Sequence, residues 1–202
     1  KGKATVACAN NTFAQISDLD GLVKGLTVLL DKDGIFVMEV PYVVTMLKKM
    51  YFDLIYHEHH TFPAVKPLMA LFDRFDMEIF DVQLLPVHGG TIRVFVKKRG
   101  GKHKVQASVR RFLSQERKMK LDEIRIYQTF VMKIQRSRVK LLRLLDSLKN
   151  RKKIVVGYGA PAKANTLINY CNIGTETLEF IVDDSVWKQG RYTPGKPPGV
   201  CN

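Results

Sequence analysis

Gly157-Tyr158-Gly159-Ala160-Pro161-Ala162-Lys163 stands between an apolar run, Ile154 to Tyr158, and a helical pattern from about Pro161 to Tyr170. A second apolar run, Leu178 to Val182, then ends in Asp183-Asp184. Strand, glycine turn, helix and strand at this spacing commit that part of the chain to a Rossmann-like βαβ unit with parallel strands. The turn satisfies G-x-G-x-x-A, and Asp183 lies 24 residues beyond Gly159. Free N–H groups at such a helix start, with the Lys163 charge beside them, hold a phosphate or diphosphate whatever the nucleoside. Gly157, Gly159 and Lys163 are therefore candidate substrate-binding residues, with Lys188 and Arg191 next in line.

The first half of the chain repeats the theme. Ala4 to Ala9 is a short apolar strand that runs into Asn10-Asn11, and Asp18 and Asp20 suit the start of a helix carrying Leu22, Val23, Leu26, Leu29 and Leu30. Asp33-Gly34 reads as a turn, and Ile35 to Val40 as a second strand whose lack of alternation predicts a parallel sheet covered on both faces. After a helical stretch near Val65 to Phe75, Met77 to Leu85 and Thr91 to Lys97 read as an antiparallel pair joined by Pro86 to Gly90. The order βαβαββ is that of the second half of a nucleotide-type α/β sheet with one reversed strand. Apolar residues at helical spacing from Phe112 to Leu148 predict one or two long helices. The expected division is 1–104 for the first α/β part, 105–150 for a basic helical connector and 151–202 for the second.

The 202 residues carry a formal net charge of +14, which invites a nucleic-acid or membrane reading. Its distribution argues against both. Lys97 to Lys153 holds 20 basic and 4 acidic residues, so the remainder of the chain is close to neutral. The only aromatics among those helical charges, Phe112, Tyr127 and Phe130, fit helix packing better than base stacking. Cys8, Cys171 and Cys201 form no Cys-x-x-Cys pair, so no disulfide framework and no metal site is expected, and a reducing cytoplasmic location fits. No apolar run reaches the length of a membrane span. Because the chain opens at Lys1 almost inside a strand and stops at Asn202 without a clear terminus, it is expected to be a fragment cut at both ends.

Two further clusters carry acid-base capacity. Tyr56-His57-Glu58-His59-His60 sets a carboxylate beside imidazoles, which suits general acid-base work and lacks the spacing of a zinc site. Val87-His88-Gly89-Gly90-Thr91-Ile92-Arg93 is a hairpin tip whose glycines allow close backbone approach to a ligand, with His88 at the tip.

Taken in order, these motifs resemble the S-adenosylmethionine-dependent C-methyltransferases that act on nucleotide-activated deoxy-keto-sugars. The resemblance rests on Ala9 to Ala14, on Asp33-Gly34 with Glu39-Val40-Pro41-Tyr42, on Tyr56 to His59 and on Pro86 to Arg93. Gly157 to Lys163, Asn165-Thr166-Leu167, Asn169-Tyr170-Cys171 and Lys188 to Gly195 complete it. It implies a three-part enzyme: an N-terminal zinc-binding module, a class I methyl-donor domain ending in an antiparallel hairpin, and a Rossmann-like C-terminal domain that holds the sugar nucleotide. This chain lacks the first part and the glycine-rich donor turn, so zinc and the main S-adenosylmethionine site belong to segments outside it, and the fragment is expected to be inactive alone. Asn10 and Asn11 are the cofactor-binding residues that the resemblance leaves here. His59 becomes the base that removes a proton next to the ketone, after which the enolate takes the methyl group, while Tyr56 and Glu58 orient the sugar and His88 lines its pocket. The family often carries His where this chain has Gln15.

Two other readings stay open on the residues alone. Gly157, Gly159, Ala162 and Asp183 suit an NAD-dependent oxidoreductase, and the charged helices suit a nucleic-acid-binding module.

Overall fold

A computed structural model describes residues 2–195 and 199–201, with the side chain of His88 outside that description. The chain forms two compact units. One runs through Met50 and resumes from His57 to Gln128; the other is Tyr51–Tyr56 with the chain from Thr129 onward.

The first unit holds β1 (Ala4–Asn10), α1 (Leu19–Leu29), β2 (Leu30–Pro41), α2 (Val43–Lys49), α3 (Val65–Asp73), β3 (Met77–Leu85), β4 (Thr91–Lys98) and α4 (Ala107–Met119). β1 and β2 are parallel, whereas β4 runs antiparallel to both β2 and β3, so the sheet order is β1-β2-β4-β3. This is the sheet with one reversed strand that the βαβαββ pattern predicts, the reversed β4 lying between β2 and β3. The end of β2 is buried on both faces, which explains its unbroken apolar run. Phe36, Met38, Val40, Ile92, Val94 and Val96 form the sheet core, with Phe13 and Phe72 against it. Each such side chain contributes about 1.5–3 kcal/mol by leaving water.

One turn expectation fails. Asp33-Gly34 lies inside β2, because β2 begins at Leu30 and the four residues between the Ala4–Leu30 and Val6–Ile35 pairs are absorbed as an irregularity in the ladder. The basic segment forms two helices, α4 and α5 (Ile124–Asn150), parted where Lys120 takes a left-handed φ of 58°. α4 starts ahead of the expected Phe112 and packs on β3 and α3, burying Ser108, Val109 and Glu116.

In the second unit, β5 (Gly157–Tyr158), β6 (Phe180–Val182) and β7 (Gly199–Cys201) make a parallel sheet in that order, with α6 (Ala162–Cys171) between the first two. β5 is shorter than its apolar run suggests, since Ile154 is 74% exposed and ladder pairing begins only at Gly157. β7 is a strand that the sequence reading did not foresee. Leu145, Ile168, Cys171, Ile173, Leu178, Ile181 and Val200 form the core of this unit. Among the described residues no helix is long and apolar enough to cross a membrane.

Candidate functional site

The β1–β2 ladder ends with Asn10 opposite Glu39. Asn11 turns out of the strand at a φ of 54°, donating its N–H to the Glu39 carbonyl at 2.9 Å. Glu39 in turn lies opposite Arg93 on β4, whose guanidinium donates to one carboxylate oxygen through Nε at 2.8 Å and through a terminal nitrogen. Glu39 is only 8% exposed, so the arginine offsets a charge that burial alone would penalise. Asn10, Asn11, Glu39 and Arg93 thus crowd the carboxyl end of the parallel strands, where open α/β sheets bind their ligands.

The histidine segment is tied to this edge by backbone. The His60 and Thr61 N–H groups both donate to the Ala14 carbonyl, at 2.8 and 3.3 Å, in the short turn that also contains Gln15. His59 is half-buried, with its ring edge-on to Phe62 at 5.6 Å, while His57 and Glu58 are exposed. Tyr56 precedes them in the chain but belongs to the second unit.

At the hairpin, a single turn, Val87–Gly89, joins β3 to β4, and Lys49 Nζ donates to the Gly89 carbonyl at 3.0 Å. Gly90 has a φ of 133°, and a Cβ there would meet Thr45 Cγ2 at 2.5 Å, so the tip needs glycine to seat on α2. The side chain of His88 lies outside the described residues.

In the second unit, Gly157 faces Ile181 across the β5–β6 ladder, and Gly159, at a φ of 83°, donates to the Val182 carbonyl at 2.7 Å. Pro161 caps α6 from just outside it and supplies no side-chain hydrogen bond, and no acid stands in the first helical turn, so the N–H groups there keep their positive character beside half-buried Lys163. Asp183 is spent inside the protein. Its carboxylate accepts the Ala160 N–H at 2.7 Å, the Ser185 N–H at 2.9 Å and Lys188 Nζ at 3.0 Å. The two backbone N–H groups, then the lysine, hold that carboxyl down at about 2. A ribose hydroxyl, which a dinucleotide reading would give to Asp183, has to compete with these three bonds. Arg191 is exposed, on a backbone that bonds to Lys188 and Val200.

The structure brings Asn10, Asn11 and the segment holding His59 to one edge of the first unit. Gly157, Gly159, Lys163, Lys188 and Arg191 gather around the strand ends of the second. Sequence reasoning missed the Glu39–Arg93 pair, although a glutamate and an arginine inside apolar strands are the signal for it. It also missed Glu116, which accepts from Tyr42 Oη at 2.9 Å and from the Val65 and Lys66 N–H groups at 2.6 and 3.0 Å. Burial, with the Glu116 carboxylate beside it, pushes the Tyr42 phenol well above its ordinary value. Among the described residues no group of three or more His, Cys, Asp or Glu is placed to hold a metal.

Comparison with known proteins adds two findings. Residues 86–201 match the family described as C-methyltransferase C-terminal domain. The chain is also similar to C-methyltransferase NovU of Streptomyces niveus, at 36% identity over 194 residues, which cover 96% of this chain and 46% of that protein. The chain therefore spans about half the length of the curated relative it matches.

Proposed function

Because this chain belongs to the C-methyltransferase C-terminal domain family, we propose that it is part of an enzyme that methylates carbon in a nucleotide-activated deoxy-keto-sugar. The observation that carries this reading is the uncapped, lysine-flanked start of α6, which lies within the matched residues and suits a diphosphate. NovU is named only as a C-methyltransferase; the sugar-nucleotide class follows from that anion site together with the sequence resemblance.

The polar strand end formed by Asn10 and Asn11 fits part of a donor site, and S-adenosylmethionine bound there supplies an electrophilic methyl group. His59 takes the proton from the carbon next to the ketone. Its seat is partly shielded from water by Phe62, and the segment is fixed by the two bonds to the Ala14 carbonyl. Tyr56 and Glu58 orient the sugar and its enolate, and Gly157, Gly159 and Lys163 take the diphosphate. Lys188, already bonded to Asp183, holds the turn that Arg191 extends.

The test is solvent-deuterium exchange at the carbon next to the ketone, in the whole enzyme that contains this chain, with a thymidine-diphosphate keto-sugar. His59→Asn lowers exchange by about 10²- to 10⁴-fold with sugar-nucleotide binding retained. Exchange at the parental rate assigns the proton to another base.

A further inference from the structure

α4 carries a single acid, Glu116, and it is turned inward onto Tyr42 and the start of α3. Its outer side is left basic. Arg110, Arg111, Ser114, Gln115 and Lys118, with Lys48 from α2, line a cleft of about 640 Å³ that lies wholly within the first unit. All four cations are exposed, and none forms an ion pair with a described residue. Arg110, Ser114 and Lys118 are spaced four apart on one helical stripe, and Arg111 and Lys48 add like charge beside it, a crowding that costs the helix stability until an anion relieves it. A second cleft of about 530 Å³ shares Arg111 and Gln115 and reaches Asp81 on β3. Asp81 forms no ion pair with the arginine; its oxygens accept from Ser108 Oγ, from the Val82 N–H at 2.8 Å and from Gln83 Nε2 at 3.2 Å.

We propose that this cleft is an oligophosphate-binding site, separate from the glycine turn of the second unit. Four unpaired cations with a hydroxyl and an amide among them call for a ligand with several negative charges and many acceptor oxygens, and the arginine forks suit phosphate oxygens. Nucleic acid is a poorer match. The one aromatic on this stretch, Phe112, packs against Tyr42 at 5.6 Å and does not line this cleft, so no ring stands among the cations to stack a base. The shared chemistry is a diphosphate group, free or as part of a nucleotide.

Calorimetry on the purified chain in a Lys163→Met background, which weakens anion binding at the glycine turn of the second unit, uses pyrophosphate, thymidine diphosphate and thymidine as probes. The site gives saturable pyrophosphate binding at about 0.15 M salt. The pair Arg111→Gln/Lys118→Gln weakens it at least about tenfold, while Lys3→Gln/Lys24→Gln, which removes equal charge elsewhere, changes it less than about twofold. Tighter binding of thymidine diphosphate with thymidine silent assigns the site to a nucleotide; equal binding of the two anions assigns it to free diphosphate. Equal losses in both variant pairs, absence of saturable binding to the parent, or tighter binding of duplex DNA through Arg111 and Lys118 overturns the proposal.

Discussion

Glu116 reaches across from α4 to accept the Tyr42 hydroxyl at 2.9 Å, and the same carboxylate closes the amino end of α3. One buried acid thereby fastens the loop after β2, helix α3 and helix α4 at a single point. A charge-assisted bond of this kind is worth about 1.5–3 kcal/mol, so Glu116→Ala destabilises the first unit by at least that much, because two α3 N–H groups lose their acceptor. Tyr42→Phe removes only one of the three bonds and costs less, near the lower end of that range at about 1.5 kcal/mol. Urea unfolding monitored by far-ultraviolet dichroism checks the ranking, and equal costs for the two changes refute it.

Asp183 supplies a pH signature. Its folded pKa is depressed to about 2 from the ordinary 3.8, so the stability it contributes is present above pH 4 or so and is lost as pH falls toward about 2. The parent protein weakens across that window, and Asp183→Asn loses the corresponding part of the slope. Chemical denaturation at a series of acidic pH values measures both.

The amino end of α6 makes a binding prediction. Lys163→Met weakens thymidine diphosphate by about tenfold at that end while leaving the unfolding transition in place. Calorimetry in the Arg111→Gln/Lys118→Gln background isolates the effect. Unchanged affinity moves the diphosphate toward Lys188 and Arg191.

Cys171 is buried, and burial raises its thiol above the ordinary value, whereas Cys8 and Cys201 are exposed. Two thiols therefore react with a disulfide reagent in the native protein and the third only on unfolding. A third fast thiol shows that α6 opens readily.

What the sequence disclosed, and what it hid, divides along physical lines. The buried end of β2 announced itself because a parallel strand covered on both faces must be apolar at every position. The hairpin was legible from Gly89-Gly90, and the βαβ unit from the turn between Tyr158 and Ala162. β7 was not, since Gly199–Cys201 has only three residues and becomes a strand through its pairing with β6. Glu116 was hidden among basic neighbours, and nothing local distinguishes a buried acid from a solvated one. Asp183 was legible as an acid at the right distance, yet its occupation by Ala160, Ser185 and Lys188 is a tertiary fact. The cleft on α4 stayed hidden for a related reason: a helix with many cations reads as a wet surface until Lys48 is seen to face it.

The sheet of the first unit has an open side. β1 bonds to β2 alone, and among the described residues no strand lies beyond it, while Val6 is 52% exposed. A row of unspent amides and carbonyls flanked by apolar side chains is a template for any extended segment that meets it. Handling follows from this: concentrated stocks of the chain seed their own association along that ladder, turbidity growing with protein concentration and not with salt, and a charged residue placed at Val6 is the simplest way to keep them clear.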